Sequence, residues 1–138
     1  MIMEDHRRMI NINVLNQLND TLEELEVHAE LDREKHPHKV IIRLKGYLNH
    51  LNTADFAEGI MEFFRGDWKD LIIVLDLSEL LYISSSGIGS FTTIRMQADH
   101  KDCPLYLAGM NDKVNAVFEQ LGFSAFFNLI DSPEALPE

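Results

Sequence analysis

The sequence predicts a single α/β domain. Its centre would be a small mixed sheet of about five strands, opened by an antiparallel hairpin and continued by parallel crossovers, with helices mainly on one side. Three observations predict it. Residues 25–31 alternate apolar and polar side chains and are followed, after a short polar turn, by the apolar run KVIIRL. From Asn52 onward, helical stripes alternate with short apolar runs, as βα units do. The chain has 138 residues, 46% of them hydrophobic, which is enough for one core and too short for two full domains.

Residues 1–23 read as an extension of the domain spanning 24–138. Leu15, Leu18, Leu22 and Leu25 follow a helical spacing, although Ile10, Ile12 and Val14 alternate. A short amphipathic helix is expected there, either packed on its own domain or offered to a second copy as a homodimer contact. Next, Leu25, Val27, Ala29 and Leu31 face one way while Glu24, Glu26, His28 and Glu30 face the other, which is a half-buried strand. DREKHPH at 32–38 is the turn, and Lys39 to Leu44 the second strand.

Gly46 is expected to break that strand, and Asn52 or Thr53 to cap a helix whose inner face is Phe56, Ala57, Ile60, Phe63 and Phe64. Gly66 would end it in a left-handed cap, with Trp68 as a lid over the junction. LIIVL at 71–75 has the continuous apolar character of a strand covered on both faces. A loop then leads to a helix from about Ser85 to Asp99, with Ile88, Phe91, Ile94 and Ala98 inward. Pro104 opens the strand LYLAG. Asn111 caps a helix carrying Val114, Val117, Phe118 and Leu121, and Gly122 stops it. Phe126 to Ile130 is the last strand, and Ser132-Pro133 has the form of a helix start.

Composition excludes several function classes. Twelve Lys and Arg against 23 Asp and Glu leave a net charge of −11, so nucleic acid and anionic membrane surfaces are not expected partners. The one cysteine, Cys103, builds no disulfide framework, which suits a reducing compartment. No apolar run reaches the ~18 residues of a membrane span, so no membrane insertion is expected, and the first residues lack the stretch of a signal peptide. The expected location is the cytoplasm.

The segment richest in chemistry is DLSELLYISSSGIGSF at 76–91. A helix beginning at three serines has unpaired N–H groups and partial positive charge at its start. Ser84 can cap it, leaving Ser85 and Ser86 in the first turn. Gly87 and Gly89 each cost about 1 kcal/mol against alanine inside a helix, so close approach of another backbone or a flat partner is the simplest reason for them. A phosphate on a first-turn serine would suit the helix and add roughly −1.5 to −2 charge to the surface outside it. Plain capping and close packing would account for the same residues without any modification.

This segment resembles the signature of STAS domains, in particular the bacterial anti-sigma factor antagonists. Gly46-Tyr47-Leu48-Asn49 resembles the family's Gly-x-Leu-Asp, and Asn111 to Gly122 with Phe126 to Leu136 resembles its third helix, last strand and terminal helix start, so the likeness covers about residues 24–138. The resemblance implies a STAS fold and a non-enzymatic switch without a cofactor. The unmodified protein would bind a serine kinase of the histidine-kinase-like ATPase group, often itself the anti-sigma factor. Phosphorylation would dissociate the pair, and a metal-dependent serine phosphatase would reset it. The phosphoacceptor falls on Ser85, with Ser84 and Ser86 as alternatives. Partner-facing positions implied are Asn49, Tyr82, Ile83, Ser84, Ser86, Gly87, Ile88, Met110 and Asn111. Two family carboxylates are replaced here, by Ser84 and Asn49. STAS domains also serve as scaffolds in large sensory assemblies and as transporter-associated subunits, the other role the resemblance admits.

Other constellations are weaker. His100 with Cys103, and His36 with His38, are two scattered pairs where zinc wants four ligands, so no metal site is expected. No glycine precedes the serines as Gly-x-Ser-x-Gly requires, and Thr92 stands where a dinucleotide motif needs its third glycine. The acidic run Glu23-Glu24-x-Glu26 reads as a solvated strand face.

Overall fold

The computed structural model describes residues 10–136. The first nine residues of the expected extension, and Pro137 and Glu138, lie outside them. A helical turn α1 (Asn13–Asn16) runs into a 3-10 turn (Gln17–Asp20), and β1 (Leu25–Asp32) follows. Next come β2 (His38–Leu48), α2 (Thr53–Phe64), β3 (Leu71–Ile83), α3 (Ser85–His100), β4 (Leu105–Ala108), α4 (Asp112–Gln120) and β5 (Asn128–Ile130). The sheet order is β1-β2-β3-β4-β5, antiparallel at the first pair and parallel at the other three. This is the expected five-stranded mixed sheet.

The core lies on one face. Val27, Ile42, Leu44, Ile73 and Leu75 from the strands meet Phe56 and Ile60 of α2, Phe91 and Ile94 of α3, and Phe118 of α4. All four helices contribute to this one cluster. The rings of Phe56 and Phe91, and of Phe91 and Phe118, lie edge-on or tilted at 6.4 and 6.2 Å, so one aromatic row ties three helices together. Each such ring contributes on the order of 2–3 kcal/mol of burial. The opposite face is thinner: Ile41, Val74 and Ala108 are covered by Ile72, Tyr106, Ile130 and Leu136. There Arg43 bridges β1 and β3, with Nη1 2.8 Å from Glu30 and Nε 3.3 Å from Asp76.

The described part of the extension, residues 10–23, packs on its own domain. Leu15 and Leu18 are buried, Leu22 is half-buried, and a Cβ on Gly59 of α2 would run into the Leu18 side chain. Leu25 belongs to β1, so the helical stripe ends sooner than its spacing suggests. Two asparagines then use their amides as a sheet neighbour. Asn16 Oδ1 accepts from Ala29 N–H at 2.7 Å while its Nδ2 donates to Ala29 C=O at 3.1 Å. Asn19 does the same with Val27, both at 2.6 Å. The outer edge of β1 is thereby satisfied by side chains at Val27 and Ala29, which blunts it as a template for strand addition. Asn16→Ala and Asn19→Ala are each expected to cost about 1–2 kcal/mol in urea unfolding, with association of the double variant at high concentration. Unchanged stability and a monomer at all concentrations would contradict this role.

Several local expectations need correction. Gly46 does not break β2: the strand continues to Leu48, with Gly46 at φ +110° where the chain at Glu24 presses against it. β3 does not give way to a loop after Asp76 but runs on to Ile83 beside β2. Gly66 is not left-handed; a Cβ there would meet the buried Trp68 ring at 2.6 Å. That ring does close the junction, with Nε1 donating to Phe63 C=O at 3.1 Å and Lys101 Nζ 4.5 Å from the ring centre. Leu121 is exposed rather than inward. Ser124–Phe126 is a 3-10 turn, and β5 begins only at Asn128. Asp131 to Glu134 makes a turn, not a helix, with Pro133 buried and its carbonyl held by Lys39 Nζ at 3.1 Å.

Candidate functional site

β2 and β3 both deliver their C-terminal ends to the start of α3. Leu48 pairs with Ile83, and the N–H of Ser84 donates to Leu48 C=O at 2.9 Å, so the helix start is fixed to the strand pair. Ser84 sits in extended conformation as the N-cap, its Oγ accepting from Gly87 N–H at 3.1 Å. Ser84 Oγ and Ser86 Oγ also bond each other at 2.9 Å. Ser85 is the first helical residue and is exposed. Among the described residues its hydroxyl is the one of the three that makes no hydrogen bond. It projects from a helix end whose first N–H groups have no intrahelical acceptor and favour negative charge.

The glycines divide into two kinds. A Cβ on Gly87 would sit 2.8 Å from Ile83 Cγ1 and 3.1 Å from Leu48 Cγ, so Gly87 lets the helix start lie down on the strand ends. Gly89 is exposed and has open space around it. Gly89→Ala is therefore expected to stabilise the isolated chain by about 0.5–1 kcal/mol, read by thermal or urea unfolding. A loss of stability would mean that the helix needs the glycine for itself.

Asn49 and Asn52 shape the loop beside the serines. Asn49 Oδ1 accepts from the N–H groups of Leu51 and Asn52, at 2.9 and 3.2 Å, and its Nδ2 donates to Glu24 Oε2 at 3.2 Å. Its carbonyl receives Thr53 N–H and Thr53 Oγ1. Asn52 occupies the N-cap position of α2 as expected, but its buried side chain makes no cap bond: it accepts from Asn49 N–H and donates to Glu23 C=O and Tyr47 C=O at 2.9 and 2.8 Å. A neutral amide at 49 thus stands next to a carboxylate that arrives from Glu24.

The strand ends and the loop that adjoin the serines expose four large apolar side chains. Tyr47 is 45% exposed, Leu51 77%, Leu81 56% and Tyr82 47%. Two register shifts between β2 and β3, at Arg43/Lys45 and at Gly46/Tyr47, break the in-out alternation. They leave Leu81 and Tyr82 outward together, with Leu80 and Ile83 inward. Bulges commonly re-aim side chains in this way at functional edges. Glu23, Glu24 and Asp55 stand at the side of the patch, lining with Asn49 and Leu51 a hollow of about 180 Å³.

Of the sequence-predicted positions, Asn49, Tyr82, Ser84, Ser85 and Ser86 come together here. Ile83, Gly87 and Ile88 are buried, which corrects their assignment as partner contacts: they support the helix start from beneath. Asn111 caps α4 through Val114 N–H at 2.9 Å and ties it to β3 by donating to Leu80 C=O at 2.7 Å. Met110 lines a separate hollow with Asn115, Leu129 and Asp131. Tyr47, Leu51, Leu81 and Glu24 were not foreseen; the clue was the run Leu80-Leu81-Tyr82-Ile83, which holds more apolar side chains than one strand face can bury. Cys103 is buried, and burial pushes its thiol pKa up, while His100 is exposed.

Comparison with known proteins agrees with this architecture. The STAS domain family model matches residues 30–136. The protein BtrV of Bordetella bronchiseptica, provisionally named an anti-sigma factor antagonist, is 31% identical over 107 residues, covering 77% of this chain and 90% of BtrV. The anti-sigma factor antagonist SpoIIAA in its unphosphorylated form superposes with a TM-score of 0.61 at 21% identity, over 78% of this chain and 92% of that one. The phosphorylated form of the Bacillus protein gives 0.56 at 19% identity, over 78% and 94%. A matched core, a five-stranded mixed sheet in sequential order and a serine-capped helix at the strand ends agree: the chain belongs to the STAS domain family.

Proposed function

We propose that this chain is an anti-sigma factor antagonist that works as a phosphorylation-controlled binding module in the cytoplasm. Unmodified, it docks on a serine kinase of the histidine-kinase-like ATPase group that acts as anti-sigma factor. Phosphorylation of Ser85 releases it, and a serine phosphatase restores it. The observation that carries this reading is the exposed, unpartnered Ser85 hydroxyl at a capped helix start, beside the apolar patch of Tyr47, Leu51 and Tyr82.

The chemistry follows from that placement. The hydroxyl oxygen attacks the γ-phosphorus of ATP, the bond to the β-phosphate oxygen breaks, and the hydroxyl proton passes to a base of the kinase. The product phosphate sits at the positive end of α3, a tolerable place for an anion. Docking would press the same phosphate against a partner and strip its water, a cost that nothing on the acidic flank of Glu23, Glu24 and Asp55 offsets. Ser84 is a poorer acceptor, because its oxygen already caps Gly87 N–H, and Ser86 is held to Ser84. The relationship to BtrV, and the two forms in which SpoIIAA is known, support the same reading.

The scaffold alternative drew on a leucine stripe free to pair with other chains. Leu15 and Leu18 are buried in the chain's own core, which favours the switch. The test is incubation with ATP and a serine kinase that binds this chain, followed by mapping of the site by mass spectrometry. Phosphate on Ser85 is expected. No phosphate, or phosphate confined to another residue, would overturn the proposal.

A further inference from the structure

We infer that the partner of the Ser85 face also reaches into a second site: a groove between the N-terminal extension and the bulged end of β3, which takes a basic segment carrying apolar side chains. This rests on the reading of the Ser85 face as a docking surface and extends it to residues outside the motif.

The groove encloses about 580 Å³. Leu22, Leu25, Tyr47 and Leu81 supply its apolar lining, and Glu24, Glu26 and Glu79 its charge. Lys45 lies among them, 3.8 Å from Glu79, while Glu24 Oε2 accepts from Asn49 Nδ2 at 3.2 Å and Glu26 Oε1 lies 3.6 Å from His28 Nε2, so the lining carries three carboxylates and one ammonium. It is built by features that the sheet alone does not need. Glu24 adopts φ +63°, turning the chain sharply from the extension into β1, and its carbonyl accepts Tyr47 N–H at 2.8 Å. Gly46 lies under that crossing; a Cβ there would run into the Glu24 carbonyl oxygen. The register shifts then turn Leu81 out toward the groove.

The groove is continuous with the serine face. Tyr47 belongs to both and pairs with Tyr82, two residues before Ser84, while Glu24 holds the Asn49 amide beside the serines. A partner seated over Ser85 therefore has the groove beside it. Charge complementarity selects the occupant: arginine or lysine for the carboxylates, with an apolar side chain against Leu81 and Tyr47. An acidic or uniformly polar segment would leave that lining unmatched.

The test uses the full chain with two short probes, acetyl-Leu-Arg-Leu-Arg-Leu-amide and its glutamate counterpart, followed by NMR. The arginine peptide should shift the amide resonances of Lys45, Tyr47, Ser78, Glu79 and Leu81. The glutamate peptide should not, and Glu26→Lys with Glu79→Lys together should weaken the arginine peptide at least tenfold. Shifts scattered over the acidic surface, or indifferent to that double variant, would overturn the inference. A second arm uses the kinase that phosphorylates Ser85. Leu81→Ala with Glu26→Lys should lower its affinity at least tenfold; unchanged affinity overturns the groove inference while leaving the Ser85 switch intact. If no kinase binds the natural chain, the switch reading fails, and the peptide titration still decides the groove.

Discussion

Ser85→Asp is expected to bind the kinase about 100-fold more weakly than the natural chain, whereas Ser85→Ala binds at full strength and is no longer released by ATP. Both substitutions are at an exposed first-turn position, so neither should lower stability by more than about 0.5 kcal/mol. The carboxylate is even favourable for α3 itself, since it lies at the positive end of the helix. Its penalty arises only in the complex, where it must lose water beside Tyr47, Leu51 and Tyr82 with Glu23, Glu24 and Asp55 on the same flank. A pull-down or titration calorimetry distinguishes the two variants. Equal binding by both would mean that charge at residue 85 does not control docking.

The largest effect on the fold itself is expected at Gly46. Alanine there must adopt φ near +110° and must also push its Cβ into the Glu24 carbonyl oxygen, which is backbone and cannot swing away. Backbone strain and the lost Tyr47–Glu24 hydrogen bond together should cost about 3 kcal/mol or more, enough to lower the melting temperature by roughly 10 °C or more for a domain of this size. The loss should come with separation of the extension from β2, seen as faster hydrogen exchange at Tyr47. A variant as stable as the natural chain would show that the crossing at Glu24 is not a fixed feature of the fold.

Much of this architecture was legible because its causes are local. The alternation in β1, the serine cap of α3, the Asn111 cap of α4 and the inward faces of α2 and α3 each follow from residues within a turn or two of one another. What escaped depends on distant chain. Gly46 reads as a strand breaker until Glu24, 22 residues earlier, is seen lying against it. β3 continues beyond Asp76 because β2 is there to pair with, through two register shifts that no spacing rule foretells. Asn16 and Asn19 read only as polar residues of the expected short helix, yet their amides pair with the edge of β1. Ser132-Pro133 has the chemistry of a helix start, but Pro133 is buried and held by Lys39, so the chain turns instead.

The same contrast applies to the site. The serines were legible as a helix start, and their exposure follows from that. Their surroundings were not, because Tyr47, Leu81 and Glu24 come from separate elements and meet only in the fold, as Leu51 and Glu24 do in the neighbouring hollow. Ile83, Gly87 and Ile88 belong to the motif for packing, so a motif alone mixes residues that meet a partner with residues that hold the meeting place.

The central claim is that one phosphate at Ser85 is neutral for the chain and disruptive for its complex. The direct measurement prepares the chain fully phosphorylated at Ser85 and compares it with the unmodified chain in two ways, by thermal unfolding and by calorimetric titration against the kinase. The account predicts melting temperatures within about 2 °C of each other and an affinity at least 100-fold lower for the phosphorylated chain. Equal affinities, or a phosphorylated chain that fails to bind because it has unfolded, would contradict it.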